Sequence, residues 1–505
     1  MRLKARTPRN PNRRPLVHGA CVFDGVPVTL LLISMNNDNT ITRVVEDLRA
    51  AAEAGSPGER LPSVRELMAR HRAGPVTVQR AVQRLVAEGL VEARPGRGSF
   101  IAARDAVLPS DRPAPDYGWQ SVALGERTVS ADGLGELLAV PRAGAVPLTS
   151  GYLSEDLQPL PQLAASMGRA SRRPGAWGRA PIEGSEQLRR WFAREAGGGF
   201  GAHEAVVASG GQAALSAAFR ALAAPGSPVL FESPTYVGAL AAARAAGLVP
   251  VPVPTDAAGV RPELLEEAFA ATGSRLFYCQ PLYANPHGAM LAQDRREAVL
   301  GAARGAGAFV IEDDWARDFA LEGEPPPTLA SADPDGRVVH VRSLTKILAP
   351  GMRVAALCAR GPAGARLRAA RLVNDLFVAG PLQEAALDLL SSPAWERHRR
   401  RVCKELRVRR DALIAAVRER LPGVRFAAVP KGGLHLWVGL PEGNDDALVA
   451  AEAGRAGAVV SPGRHWFPAE PTGPFLRLSY VGAGPEELAR GVGILARVPG
   501  AGARE

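Results

Sequence analysis

Lysine is almost missing from this chain. Of its 61 lysine and arginine residues only four are lysines: Lys4, Lys346, Lys404 and Lys431. Arginine fills nearly every position where a positive charge alone suffices, so a retained lysine is a candidate for chemistry that guanidinium cannot do. Cysteine is scarce as well, with four in 505 residues and no CxxC or other metal-ligand spacing among Cys21, Cys279, Cys358 and Cys403. That pattern argues against a disulfide-built scaffold and a cysteine metal site. It reads as free thiols in a reducing compartment, and so as a cytoplasmic protein. Long apolar runs are also missing, and no membrane partner is expected.

What is present is length and arginine. A chain of 505 residues with 46% hydrophobic content is too long for one small core and predicts two or more domains. The net charge of +10 permits a polyanionic partner. Residues 1–34 carry six lysines or arginines and then the apolar run Val26 to Ile33, with no small-residue cleavage site after it. Met35 follows, and structural periodicity starts near Ile41. We expect 1–34 to be a disordered arm or an upstream mis-start.

Residues 41–102 read as three helices and a hairpin. Ile41, Val44, Val45 and Leu48 form one apolar helical face. Ser63 and Glu66 have the capping-box spacing that starts a second helix. Gly74-Pro75 breaks it, and a third helix from Thr77 to about Glu88 buries Val78, Val82 and Leu85. Its other face is expected to show Thr77, Gln79, Arg80, Gln83 and Arg84. Two short strands around Pro95-Gly-Arg-Gly98 then make a wing with Arg97 at its tip. Hydroxyl, amide and guanidinium groups near the start of a third helix suit the major groove of double-stranded DNA.

This segment resembles the GntR-type winged helix-turn-helix along nearly its whole length. The match includes Gly58-Glu-Arg-Leu-Pro-Ser-Val-Arg-Glu-Leu67, Thr77-Val-Gln-Arg-Ala-Val-Gln-Arg-Leu85 and Gly96-Arg-Gly-Ser-Phe100. The resemblance implies DNA contacts from Arg65, Thr77, Arg80 and Arg97. It departs at Gly74-Pro75-Val76, where the family has Ser-Arg before the Thr-Val pair. The expected organisation is a DNA-binding domain over 35–103, a proline-rich linker over 104–145 and a large domain over 146–500. Within the last, a large subdomain is expected at about 200–375 and a small one at about 376–500.

In the large domain, strand-like runs alternate with Ala-rich helical runs, which predicts an α/β fold with a mainly parallel sheet and a site at the strand ends. Glycines at 210–211 open a helix whose backbone can hold a phosphate. Tyr236 follows a strand and suits stacking on a heteroaromatic ring. Asn285 sits in the Asn-Pro-x-Gly turn 285–288. Glu312-Asp-Asp314 ends a buried strand in three carboxylates, costly to desolvate without a cation nearby. Lys346 lies on a turn after the run Val338–Arg342, where a Schiff-base lysine would sit, with Arg353 seven residues on.

In this order the features resemble the fold-type-I aminotransferases, which use pyridoxal 5′-phosphate (PLP). The resemblance implies that Lys346 forms the internal aldimine, Asp313 pairs with the pyridine nitrogen, Asn285 bonds the ring hydroxyl and Tyr236 stacks on the ring. It assigns the phosphate to Gly211, Gln212, Ser343 and Arg353, and a ligand carboxylate to Arg477. Trp177 and Trp315 stand where tyrosines are usual, which puts efficient transamination in question; an indole cannot act as acid or base. The whole chain resembles the MocR group of GntR-family regulators. That implies a homodimeric, PLP-dependent transcription regulator that senses an amine, an amino acid or PLP itself. The alternative is an active aminotransferase that carries a DNA-binding arm. No metal is expected.

Overall fold

The computed structural model describes residues 28–94, 96–102, 116–124, 131, 133–426 and 428–502. Most of the expected arm 1–34, Pro95, residue 103, and residues 104–115, 125–130 and 132 of the expected linker lie outside them. The described chain falls into two compact units, Met1–Glu126 and Arg127–Glu505, so the division lies inside the expected linker.

The first unit has helices Val28–Ala54, Val64–His71 and Pro75–Ala87, then the strands Val91–Arg94 and Gly98–Ile101 paired antiparallel. The first helix starts before Met35 and runs through Ile41. The second begins at the expected capping box: Ser63 Oγ accepts the Glu66 N–H at 3.3 Å, and Glu66 accepts the Ser63 N–H at 2.7 Å. Val44, Val45, Leu48, Leu67, Val78 and Leu85 are its buried centre. The third helix starts two residues earlier than expected because Pro75, lacking an N–H, suits the first helical position.

The second unit is built on an eight-stranded sheet. Its spatial order is Ala205–Ala208, Ala355–Cys358, Val338–Ser343, Phe309–Asp313, Leu276–Cys279, Pro228–Ser233, Val249–Asp256 and Gly259–Val260. The central strands are parallel, and Ala355–Cys358 runs antiparallel to both neighbours. Apart from Val249–Asp256 near the edge, these strands are near-continuous runs of buried apolar residues, as expected for a sheet covered on both faces. A second, antiparallel sheet of four strands is centred on His435–Gly439 and Phe475–Ser479. The helices Pro393–Arg420 and Pro485–Leu495 contribute buried residues to the core around it. Cys279 and Cys358 are buried free thiols. Among the described residues no helix is long and apolar enough to cross a membrane, and no side-chain group has metal-site geometry.

Candidate functional site

The strand ends converge on a cavity of about 410 Å³, within the usual size of a small-molecule site. Lys346, Asp313, Asn285, Tyr236, Gly211, Gln212, Ser343, Arg353 and Arg477 all line it. These expected residues, up to 266 positions apart in the sequence from Gly211 to Arg477, thus meet in one pocket.

Asp313, last residue of its strand, takes hydrogen bonds on Oδ2 from the Tyr278 hydroxyl at 2.6 Å and from Gln280 Nε2 at 2.9 Å. Burial pushes its carboxyl up to about 6 against those bonds. Its two acidic neighbours are satisfied elsewhere. Glu312 accepts the backbone N–H groups of Leu329 and Ala330 at 2.7 and 2.9 Å, and Asp314 pairs with Arg317 and with His340 at 3.1 Å. Strand alternation sends only the middle carboxylate of the three to the cavity.

Lys346 carries its Nζ 3.9 Å from the centre of the Tyr152 ring. Burial first, then the charges of Arg477 and Arg353, lower its ammonium to about 7, with Asp313 opposing. Arg477 is 1% exposed. Its Nη1 donates to Asn285 Oδ1 at 3.2 Å and lies 3.1 Å from His435 Nε2; its Nη2 donates to the Thr149 carbonyl. Its Nε has no partner, and among the described residues no carboxylate pairs with it. Burial brings the guanidinium down to about 9. A buried cation without a counterion is costly, and an anionic ligand would supply what is missing.

The phosphate end is equally explicit. Gly210 has φ +89°, and a Cβ there would stand 2.5 Å from Arg353 Nη2. The helix Gly211–Leu222 therefore opens with bare N–H groups beside a guanidinium and Ser343. The Gln212 side chain is engaged with the Gly238 carbonyl at 2.7 Å and takes the Tyr236 hydroxyl at 3.4 Å, so its main contribution to an anion is its backbone N–H. An aldehyde-reactive amine, a carboxylate for a ring nitrogen, a stacking tyrosine and a phosphate cradle fit PLP.

Trp315 lines the cavity, stacks on His435 at 6.0 Å, and its buried indole N–H has no partner. Trp177 does not line this cavity. It is 69% exposed and donates its N–H to the Ser171 carbonyl at 2.8 Å, so within one chain it does not take the place of a phosphate-binding tyrosine. Sequence reasoning missed Tyr152, Gln280 and His435. Burial, then Arg477 and Lys346, hold His435 well below its ordinary pKa and keep it neutral.

In the first unit Arg65, Arg80 and Arg97 are exposed, and none of the three has an ion pair among the described residues. Thr77 corrects the expectation: it is 8% exposed, on the ridge with Ala81 and Leu85 that faces the core. Arg84 is exposed but shares Glu88 with Arg49.

Fold and pocket together define an aminotransferase-type cofactor site, preceded in the chain by a winged helix-turn-helix. The family "Aminotransferase class I and II" matches residues 148–495, and "Bacterial regulatory proteins, gntR family" matches residues 40–101. The HTH-type transcriptional regulator YjiR of Escherichia coli is 30% identical over 80% of this chain and 87% of its own length. The 2-aminoadipate transaminase of Thermus thermophilus is 30% identical over 75% of this chain and 96% of its own. The crystal structure of LysN, the α-aminoadipate aminotransferase of that organism in complex with N-(5′-phosphopyridoxyl)-L-leucine, superposes with a TM-score of 0.68 at 28% identity. It covers 75% of this chain and 97% of that one. The chain belongs to the aminotransferase class I and II family and, through its gntR-family N-terminal domain, to the MocR type of HTH transcriptional regulators.

Proposed function

We propose that this protein is a transcription regulator that binds double-stranded DNA through its N-terminal unit and reads an amine, an amino acid or PLP itself through the pocket of its second unit. The single observation that carries the reading is the pocket's set of three cations, Lys346, Arg353 and Arg477, none paired with a carboxylate among the described residues. Each has a distinct task. Lys346 holds the cofactor covalently, Arg353 with the helix start at Gly211 holds its phosphate, and Arg477 grips a ligand carboxylate. Asp313 holds the proton on the ring nitrogen. Asn285 orients the ring through its hydroxyl. When bound, PLP supplies an aldehyde that exchanges amines and an electron-withdrawing ring.

An incoming amine would take the place of Lys346 on the aldehyde, and its carboxylate would pair with the Arg477 guanidinium. The freed lysine and the filled arginine give the ligand differential contacts with two states of the protein, which a ligand needs to shift an equilibrium. We further propose a cytoplasmic homodimer that reads a two-part operator, Arg80 contacting bases and Arg65 and Arg97 the backbone.

The test is borohydride reduction of the protein with PLP, followed by peptide mapping. Cofactor should be trapped on Lys346 and lost in Lys346→Ala. Cofactor on Lys404 or Lys431 instead would overturn the assignment.

A further inference from the structure

One wall of the pocket comes from neither sheet. Leu134, Leu137 and Leu138 line it, on the short helix Leu134–Leu138. This helix lies within the segment expected from sequence to be linker. Leu134 and Leu137 pack against the buried cluster of Val237, Trp437, Trp466 and Phe467. The helix is also seated from below. Gly133 has φ +71°, and a Cβ there would stand 2.5 Å from His465 Cβ, so glycine alone allows this approach. Glu136 reaches His465 Nε2 at 3.9 Å. Leu138, at the end of the helix, stays 53% exposed.

The cations lining the cavity are already committed to the cofactor amine link, the phosphate and a carboxylate. His435, the remaining basic group, is neutral. An acidic side chain on the ligand would find no counterion among the described lining residues, and burying it unpaired is costly. What remains for a side chain is the leucines, Trp315 and Pro350, with the Tyr152 hydroxyl and the Trp315 indole N–H but no further cation.

We propose that the ligand of this pocket is an α-amino acid with an apolar side chain, and that this side chain rests on Leu137 and Leu138. The inference builds on the reading above, in which Lys346 and Arg477 hold the amine and carboxylate. The leucine wall is the short helix Leu134–Leu138, so filling the pocket with an apolar group adds contacts that hold this helix in place.

The test uses the full-length protein loaded with PLP. The visible band of the lysine-bound cofactor is followed during titration with L-leucine, L-glutamate and taurine. Hydrogen exchange of residues 133–139 is measured in parallel. L-leucine should shift the band at a concentration at least about tenfold below L-glutamate and slow exchange at 133–139, the size expected when a pocket lacks a partner for the rival's polar group. Leu138→Asp and Leu137→Asp should each weaken leucine binding at least about tenfold, the starting band confirming that each variant is folded and loaded. If L-glutamate or taurine acts as well as L-leucine, or both variants respond as the parent does, the leucine-wall inference fails while the sensing reading stands. If no amine shifts the band, the reading of the pocket as an amine or amino-acid sensor fails with it.

Discussion

Arg477 Nη1 donates to Asn285 Oδ1 at 3.2 Å, so the residue that would grip a ligand's carboxylate is tied to the residue that would bond the cofactor ring. The two belong to different sheets: Asn285 follows a strand of the large sheet and Arg477 lies in a strand of the small one. Cofactor and ligand bound in this way would be coupled through one hydrogen bond. Arg477→Lys keeps a charge but loses the planar fork. It should weaken amino-acid binding at least about tenfold, about 1.4 kcal/mol, and leave the cofactor link to Lys346 intact. Asn285→Ala should weaken both. Titration of the visible band in each variant separates these outcomes.

Lys346 should load with PLP at neutral pH. Only the neutral amine attacks the aldehyde, and burial with Arg477 and Arg353 places its pKa at about 7. The rate of covalent loading onto the cofactor-free protein should rise with pH up to about 7 and then level off. An ordinary lysine would keep gaining up to about 10.4. Stopped-flow absorbance across this range makes the distinction.

Asp313→Asn should lower PLP affinity at least about tenfold, because an amide cannot supply the charge that holds a proton on the ring nitrogen. The Tyr278 and Gln280 contacts remain available to the amide, so thermal stability without cofactor should change little. Equilibrium dialysis of PLP and a melting curve test the two halves.

On DNA, Arg80→Ala should cost roughly 1–3 kcal/mol and relax base preference at one position. Arg97→Ala should weaken binding evenly across sequences and reduce its salt dependence. Thr77→Ala should lower the melting temperature rather than change specificity, since Thr77 is buried. Binding isotherms at several salt concentrations, with one operator and its point variants, check all three.

The parts of the site carried by local motifs were legible in the sequence. The scarce lysine, the acidic strand end and the glycine before a helix each announce their chemistry within a few residues. Tyr152 and His435 were not legible. Each gains its role only from tertiary contact, Tyr152 with a lysine 194 positions away and His435 with Arg477 across two paired strands. The leucines of 134–138 were hidden for a similar reason: a five-residue helix within a proline-rich stretch has too few turns to show a period. Thr77 was placed on the wrong face by its polarity. Its spacing of four from Ala81 and eight from Leu85 puts it on their side of the helix.

The central claim is that the state of the pocket governs DNA binding, and it is tested most directly by measuring operator affinity of the full-length protein. Affinity should be compared with and without PLP and L-leucine, on operators whose half-sites differ by half a helical turn. The account predicts that the amino acid changes which spacing binds best, and that Lys346→Ala abolishes this response while still binding DNA. Identical affinities and spacing preference in every state, with Lys346→Ala indistinguishable from the parent, would contradict it.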